Sequence, residues 1–283
     1  MFSRLLFPTD CSARARSMVA LIGGLEPRPE QVCAVTVVPI RGMERPLIDA
    51  HIETATKEIE LLVEPMRAAG IDAPTRVLTG RPVEAILETA QEMSSDVIVL
   101  GSFGKSPMEE ILKGSLSSEL TRATTLPVLF VRFGILAERT AAECAERGRD
   151  LFGRLLHPSD MSDCSKRALD LVKAELAERV GAVELVHVVD DVYQAGWAHE
   201  AEIEAAAKDL EDCAADLRGA GMEASVHLIE GDPIADILRL ACELDTSCIV
   251  LGSRGKGLMR EAVVGSVSQG ILRLANKPVL VVH

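Results

Sequence analysis

Val97-Ile98-Val99-Leu100-Gly101-Ser102-Phe103-Gly104 is followed by nine residues and then by Gly114-Ser115. The arrangement returns in the second half of the chain. There Ile249-Val250-Leu251-Gly252-Ser253-Arg254-Gly255 precedes nine residues and Gly265-Ser266. Each apolar run reads as a buried strand, and the spacing that follows is G-x2-G-x9-G-S both times. A glycine-rich turn leaving a strand end, with a small residue opening the next helix, suits phosphate. Glycine lets the backbone approach the anion, and N–H groups at the helix start point at it. Two such stretches make a nucleotide-binding tandem the leading reading.

The repeat reaches well beyond the glycines and is a duplication of whole domains. Leu5-Leu6-Phe7-Pro8-Thr9-Asp10 answers Leu155-Leu156-His157-Pro158-Ser159-Asp160. Gly80-Arg81-Pro82 answers Gly231-Asp232-Pro233, and Pro127-Val128-Leu129-Phe130-Val131 answers Pro278-Val279-Leu280-Val281-Val282. Across 100–120 against 251–271, ten of 21 aligned positions are identical. Each half shows five short apolar runs alternating with helical patterns. In the first half strands are expected near 4–8, 32–38, 74–78, 96–100 and 127–132, and helices near 12–23, 46–69, 82–93 and 108–123. Strands separated by helices imply right-handed crossovers and a parallel sheet. The fold expected is α/β: two tandem open five-stranded parallel-sheet domains, residues 1–133 and 151–283, joined by a short helical linker at 134–150. A flexible tether is the alternative for the linker.

Composition narrows the function. The chain has 283 residues, of which 48% are hydrophobic, 26% charged and only 3% aromatic. The cores must therefore be aliphatic, as in a parallel sheet covered by helices. A net charge of −13 repels nucleic acid and anionic membranes, so an anionic ligand must be held by local donors. No apolar stretch approaches the roughly 20 residues that span a bilayer. The N-terminus does not resemble a signal peptide. Seven cysteines without a C-x-x-C pair fit reduced thiols in a cytoplasmic protein.

In an open α/β sheet the ligand site lies at the carboxyl ends of the strands, where the strand order switches. The glycine loop after strand four and Asp10 or Asp160 after strand one converge there. An aspartate at that position accepts hydrogen bonds from a ribose hydroxyl or sits near an adenine; equally, Asp10 or Ser12 could cap the next helix. Ser115 and Ser266, with Ser117 and Ser268 further on, would offer hydroxyls and N–H groups to phosphate, or serve as plain N-caps. Residues 252–266 hold Arg254, Lys256 and Arg260 against Glu261, whereas 101–115 hold Lys105 and Lys113 against Glu109 and Glu110. Charge-assisted contacts thus favour the second half for a triphosphate, and Phe103 in the place of Arg254 offers none. Gly104-Lys105-Ser106 is not a Walker A loop, since Val99 stands where a glycine is required. Six histidines show no metal-ligand spacing, and His187 reads as a satisfied core residue. No Ser/His or Cys/His pairing is legible, so no catalytic or metal residue is assigned.

These motifs resemble those of the universal stress protein family, and the resemblance covers nearly the full length as two copies. It rests on Pro-Thr-Asp (8–10) and Pro-Ser-Asp (158–160), the two glycine loops and the closing Pro-Val-Leu-x-Val strands. The resemblance implies an adenine nucleotide alpha hydrolase-like fold and the ATP-binding branch of the family. It implies adenine and ribose held by Asp10 and Val37, and phosphates held by Gly101, Ser102, Gly104, Lys105, Gly114, Ser115 and Ser117. In the second half it implies Asp160, Val188, Gly252, Ser253, Gly255, Lys256, Gly265, Ser266 and Ser268. Pro8, Thr9 and Leu100 complete the first candidate site, and Pro158, Ser159, Leu251, Arg254 and Val267 the second. Pro39 departs from the acidic residue often found after strand two, which Asp190 keeps. Family members usually dimerise through the last strand, which implies a pseudo-dimer within this chain and leaves room for a homodimer of chains.

The function expected is a regulatory or stress-response protein that binds ATP, ADP or AMP and senses by occupancy, with Mg²⁺ accompanying a triphosphate and an unidentified protein partner reading the state. The alternative is a slow Mg-dependent ATPase or nucleotide-dependent transferase, although the H-I-G-H and S-G-G-x-D-S signatures of related enzymes are absent. A scaffold with vestigial sites is a third reading, and it predicts lost glycines where none is lost.

Overall fold

The computed structural model describes residues 2–38, 40, 42, 44–102, 116–190, 197–255 and 264–283. The chain divides into two compact units, one at Phe2–Asp150 and the other at Leu151–His283.

In the first unit β1 (Arg4–Pro8), β2 (Gln31–Val38), β3 (Thr75–Thr79), β4 (Val97–Ser102) and β5 (Val128–Arg132) lie in the order β3-β2-β1-β4-β5. Every described pairing is parallel, with Leu5 opposite Val32 on one side and Val97 on the other. Between them run α1 (Ala15–Gly23), α2 (Arg45–Ala68), α3 (Pro82–Glu92) and α4 (Leu116–Ala123). Leu5, Leu6, Phe7 and Val97–Val99 are buried, as a sheet covered on both faces requires. Pro82 opens α3, where its missing N–H costs nothing.

Two short helices follow β5, α5 (Phe133–Leu136) and α6 (Ala141–Arg149). Thr140 caps α6 in a reciprocal pair with Glu143. The helix lies tight against α1. A Cβ on Gly24 would come within 1.9 Å of Ala145 O, and one on Gly148 within 2.0 Å of Leu21 O. Only glycine permits backbones that close.

The second unit repeats the plan. Strands β6 (Arg154–Pro158), β7 (Ala182–Asp190), β8 (Glu223–Gly231), β9 (Cys248–Gly252) and β10 (Val279–Val282) take the order β8-β7-β6-β9-β10, again parallel. The helices are α7 (Asp163–Leu171, with a π-helical continuation over Val172–Leu176), α8 (Trp197–Gly219), α9 (Pro233–Glu243) and α10 (Ser266–Leu274). In each unit the order reverses between the first and fourth strands, β1 beside β4 and β6 beside β9. The expected α/β architecture, with five parallel strands in open order in each unit, is what the chain adopts.

The first helix starts later than its pattern predicts, at Ala15 and not near 12. The reason is local. Asp10 Oδ1 accepts the N–H of Ser12 at 3.0 Å, and Cys11 takes a left-handed φ of 56°. That turn uses residues a helix would otherwise claim.

Candidate functional site

The turn after β6 is built like the turn after β1. Ser159 Oγ accepts the N–H of Met161 at 3.2 Å, Asp160 Oδ1 accepts the N–H of Ser162 at 3.0 Å, and Met161 has a φ of 60°. A left-handed non-glycine residue is held only where its surroundings fix it. Ser162 then caps α7, accepting the N–H of Ser165 at 3.3 Å. Capping therefore falls to Ser162, and Asp160 faces a cavity. In the first unit the N-cap position of α1 is Arg14, which makes no side-chain cap, so neither Asp10 nor Ser12 caps that helix.

Gly252 ends β9. A Cβ there would meet Cys164 C at 2.7 Å and Ser165 N at 2.8 Å, so this glycine admits the first turn of α7. Ser253 is buried, with its N–H on Val282 O at 2.7 Å. Ser162 Oγ donates to Arg254 O at 3.1 Å, tying the glycine loop to the turn after β6. A Cβ on Gly255 would lie 2.4 Å from Asp160 Oδ2. Gly265 occupies the N-cap position of α10 and donates to Ser253 O at 2.8 Å. It has no side chain to cap the helix, so the first N–H groups, on Ser266, Val267 and Ser268, have no intrahelical acceptor.

These elements enclose a cavity of about 900 Å³. Of the residues expected in the second half, Pro158, Ser159, Asp160, Val188, Leu251, Gly252, Arg254, Gly255, Gly265, Ser266, Val267 and Ser268 line it. Ser253 is not part of the lining, and Lys256 lies outside the described residues, as do Arg260 and Glu261. Ser268 differs in role from the expectation: its buried hydroxyl donates to Gly252 O at 2.9 Å and holds the loop to the helix.

Several lining residues escaped the sequence reading: Ser165, Val186, Pro233, Ile237, Val264, Gln269 and Ile271. Pro233 had a signal, since it matches Pro82 in the repeat. His187 corrects the reading of a core histidine: it is half-buried, lines the cavity, and its Nδ1 lies 2.6 Å from Ser159 O. His157 is the buried one. Its Nδ1 lies 2.8 Å from Val250 O and its Nε2 3.0 Å from Ser165 Oγ, a Ser/His pairing not legible in the sequence. Burial outweighs the hydrogen bond to Val250 and the charge of Asp160, and pushes the imidazole down to about 4.

In the first unit Asp10 and Val37 line a smaller cavity of about 430 Å³ with Cys11, Thr36, His51 and Glu58. Pro8, Thr9, Leu100, Gly101 and Ser117 do not line it. A Cβ on Gly101 would fall 2.5 Å from Phe133 Cζ. Pro39, Phe103, Gly104, Lys105, Lys113, Glu109, Glu110, Gly114 and Ser115 lie outside the described residues. Among the described residues no cluster of three His, Cys, Asp or Glu side chains forms a metal site, and no helix is long and apolar enough to cross a membrane.

Two successive sets of five parallel strands with helices between them, each reversing its strand order at the first and fourth strands, define tandem α/β domains, and in the second the cavity lies beside that reversal. The chain belongs to the universal stress protein family: the family model matches residues 1–132 and again 151–283. It is thus a tandem two-domain member of a family of stress-response proteins. It is 28% identical over 154 residues to the universal stress protein MJ0577 of Methanocaldococcus jannaschii, covering 47% of this chain and 95% of that protein. It is 31% identical over 154 residues to YxiE of Bacillus subtilis, covering 47% of this chain and all of that protein. A universal stress protein structure from Archaeoglobus fulgidus is similar along 99% of this chain and 95% of its own, with a TM-score of 0.77 and 25% identity.

Proposed function

We propose that the chain is a regulatory stress protein that binds an adenine nucleotide and acts through occupancy. The observation that carries this is the cavity of about 900 Å³ at the carboxyl ends of β6, β7 and β9, closed on one side by the N-terminus of α10. Its two chemistries are those of a nucleotide. Val186, Val188, Ile237, Leu251 and Ile271 supply an aliphatic wall of the kind that accepts a base. Arg254 and the uncapped N–H groups of α10 supply donors and positive potential for phosphate. Asp160 accepts from a ribose hydroxyl or lies near Mg²⁺ carried by a triphosphate. The first half would hold its nucleotide through Asp10 and Val37, whose cavity is smaller and lined by Glu58 as well.

Calorimetric titration of ATP and of AMP into the full chain tests this. Saturable binding that weakens by about tenfold in Arg254→Ala supports it, since one charge-assisted contact to phosphate is of that size. A chain that binds neither nucleotide contradicts it. Hydrolysis is the competing reading, with Asp160 the cavity carboxylate that would assist it. Phosphate release under Mg²⁺ that stops in Asp160→Ala would favour that reading.

A further inference from the structure

We propose that Ser165, set by His157, makes the second-half cavity selective for a ligand group that donates a hydrogen bond. Val250 O can only accept, so at 2.8 Å the Nδ1 of His157 carries the proton. Burial keeps this imidazole neutral, leaving Nε2 a bare acceptor. Ser165 Oγ, at 3.0 Å from Nε2, must then donate to it. Ser159 Oγ lies 2.7 Å from Ser165 Oγ, and with Ser165's proton spent, Ser159 is the donor in that pair. Met161 Sδ, at 3.4 Å from Ser159 Oγ, is the weaker acceptor for the same proton. Ser159 Oγ in turn accepts the Met161 N–H.

Every proton of the relay therefore points inward. Ser165, which lines the cavity, offers the ligand a lone pair and no proton. His187, also on the cavity wall, likewise spends its Nδ1–H on the protein, since Ser159 O can only accept. A phosphate oxygen against this wall would face lone pairs, whereas an N–H or O–H gains a bond. The matching positions of the first half carry no such device. Phe7, Ala15 and Thr36 stand in the places of His157, Ser165 and His187 in the repeat. The relay thus distinguishes the two halves chemically.

The inference rests on the nucleotide reading above. On a nucleotide the available donors are the base amine and the ribose hydroxyls. The test titrates ATP, purine riboside triphosphate, 2′-deoxyATP and 3′-deoxyATP into the full wild-type chain, Ser165→Ala and Ser165→Thr. The first half is the same in every variant and cancels from the comparison. One analogue is expected to bind the wild type about tenfold more weakly than ATP, and that analogue identifies the donor. The penalty should fall below about twofold in Ser165→Ala and return in Ser165→Thr, which keeps the hydroxyl. Where Ser165→Ala alone fails to fold, because it strips His157 of its donor, His157→Phe/Ser165→Ala copies the first half's pair and replaces it. Equal penalties in wild type and alanine variant for every analogue overturn this inference alone. A wild type that binds no ATP overturns both this inference and the reading beneath it.

Discussion

Gly255 and Asp160 share one space: a methyl group on the glycine would sit 2.4 Å from the aspartate's Oδ2. The clash is with the tip of a side chain, which can rotate, so Gly255→Ala should cost little stability. It should nevertheless displace the carboxylate that faces the cavity. We expect a loss of about 1 kcal/mol or less in stability but at least about tenfold in nucleotide affinity. Urea unfolding and calorimetry on the same variant separate the two. A large stability loss with unchanged affinity would contradict the placement of Asp160.

The glycines of the loop are not equivalent. At Gly252 the obstacle is backbone, Cys164 C and Ser165 N, which cannot step aside without moving α7. At Gly265 the nearest atoms are 3.6 Å or more away, and its φ of −61° suits any residue. Gly252→Ala should destabilise by about 3 kcal/mol, and Gly265→Ala by less than about 1 kcal/mol. Comparable urea midpoints for the two variants would contradict this.

That contrast shows what a sequence can and cannot reveal. The aliphatic runs at Leu5–Phe7, Val97–Leu100 and Ile249–Leu251 announced parallel strands because burial on both faces leaves no polar alternation. The glycine spacing and Asp160 pointed to the cavity because they recur. Nothing local distinguishes Gly252 from Gly265, since the difference lies in α7, which packs on β9 from far back in the chain. Ser165 was silent for the same reason. It reads as one more polar residue in a helix turn, and only the fold sets it against His157 and the cavity wall. His187, in an apolar strand, reads as core from its neighbours alone, but at the carboxyl end of β7 the cavity opens beside it.

Acid should unfold the second unit early. His157 holds its proton only near pH 4 when folded, and more tightly, near 6.5, when unfolded. Below about pH 6.5 the unfolded chain therefore gains protons first, and stability falls between about 6.5 and 4, by on the order of 3 kcal/mol. Glu184 adds to the loss further down. Burial would raise its carboxyl, but hydrogen bonds from His227 and Arg154 outweigh that and hold it below the ordinary value, so its stabilisation disappears as pH falls. Urea midpoints from pH 7 to 4 should drop, and drop less in His157→Phe. A flat profile, or the same slope in the variant, would contradict the buried neutral histidine.

Thiol chemistry should follow position. Cys11 is pushed up to about 11 by burial and by the charges of Glu58 and Asp10, while Cys248, wholly buried, rises to about 12. Cys242 is exposed. Iodoacetamide at pH 8 should label Cys242 at least about tenfold faster than Cys11, because the thiolate is the reactive form, and should reach Cys248 only after unfolding. Mass mapping of a time course reads this directly, and early labelling of Cys11 would contradict its surroundings.

A chain that holds an adenine nucleotide in the cavity beside α10 should carry it through purification. Freshly purified protein should be denatured, the released nucleotide identified by mass, and its number per chain counted. At least one adenine nucleotide per chain is expected for the wild type, with a second where the first half also binds, and a count lowered by one in Gly255→Ala. Protein that releases no nucleotide and takes up none of added ATP or AMP would contradict it.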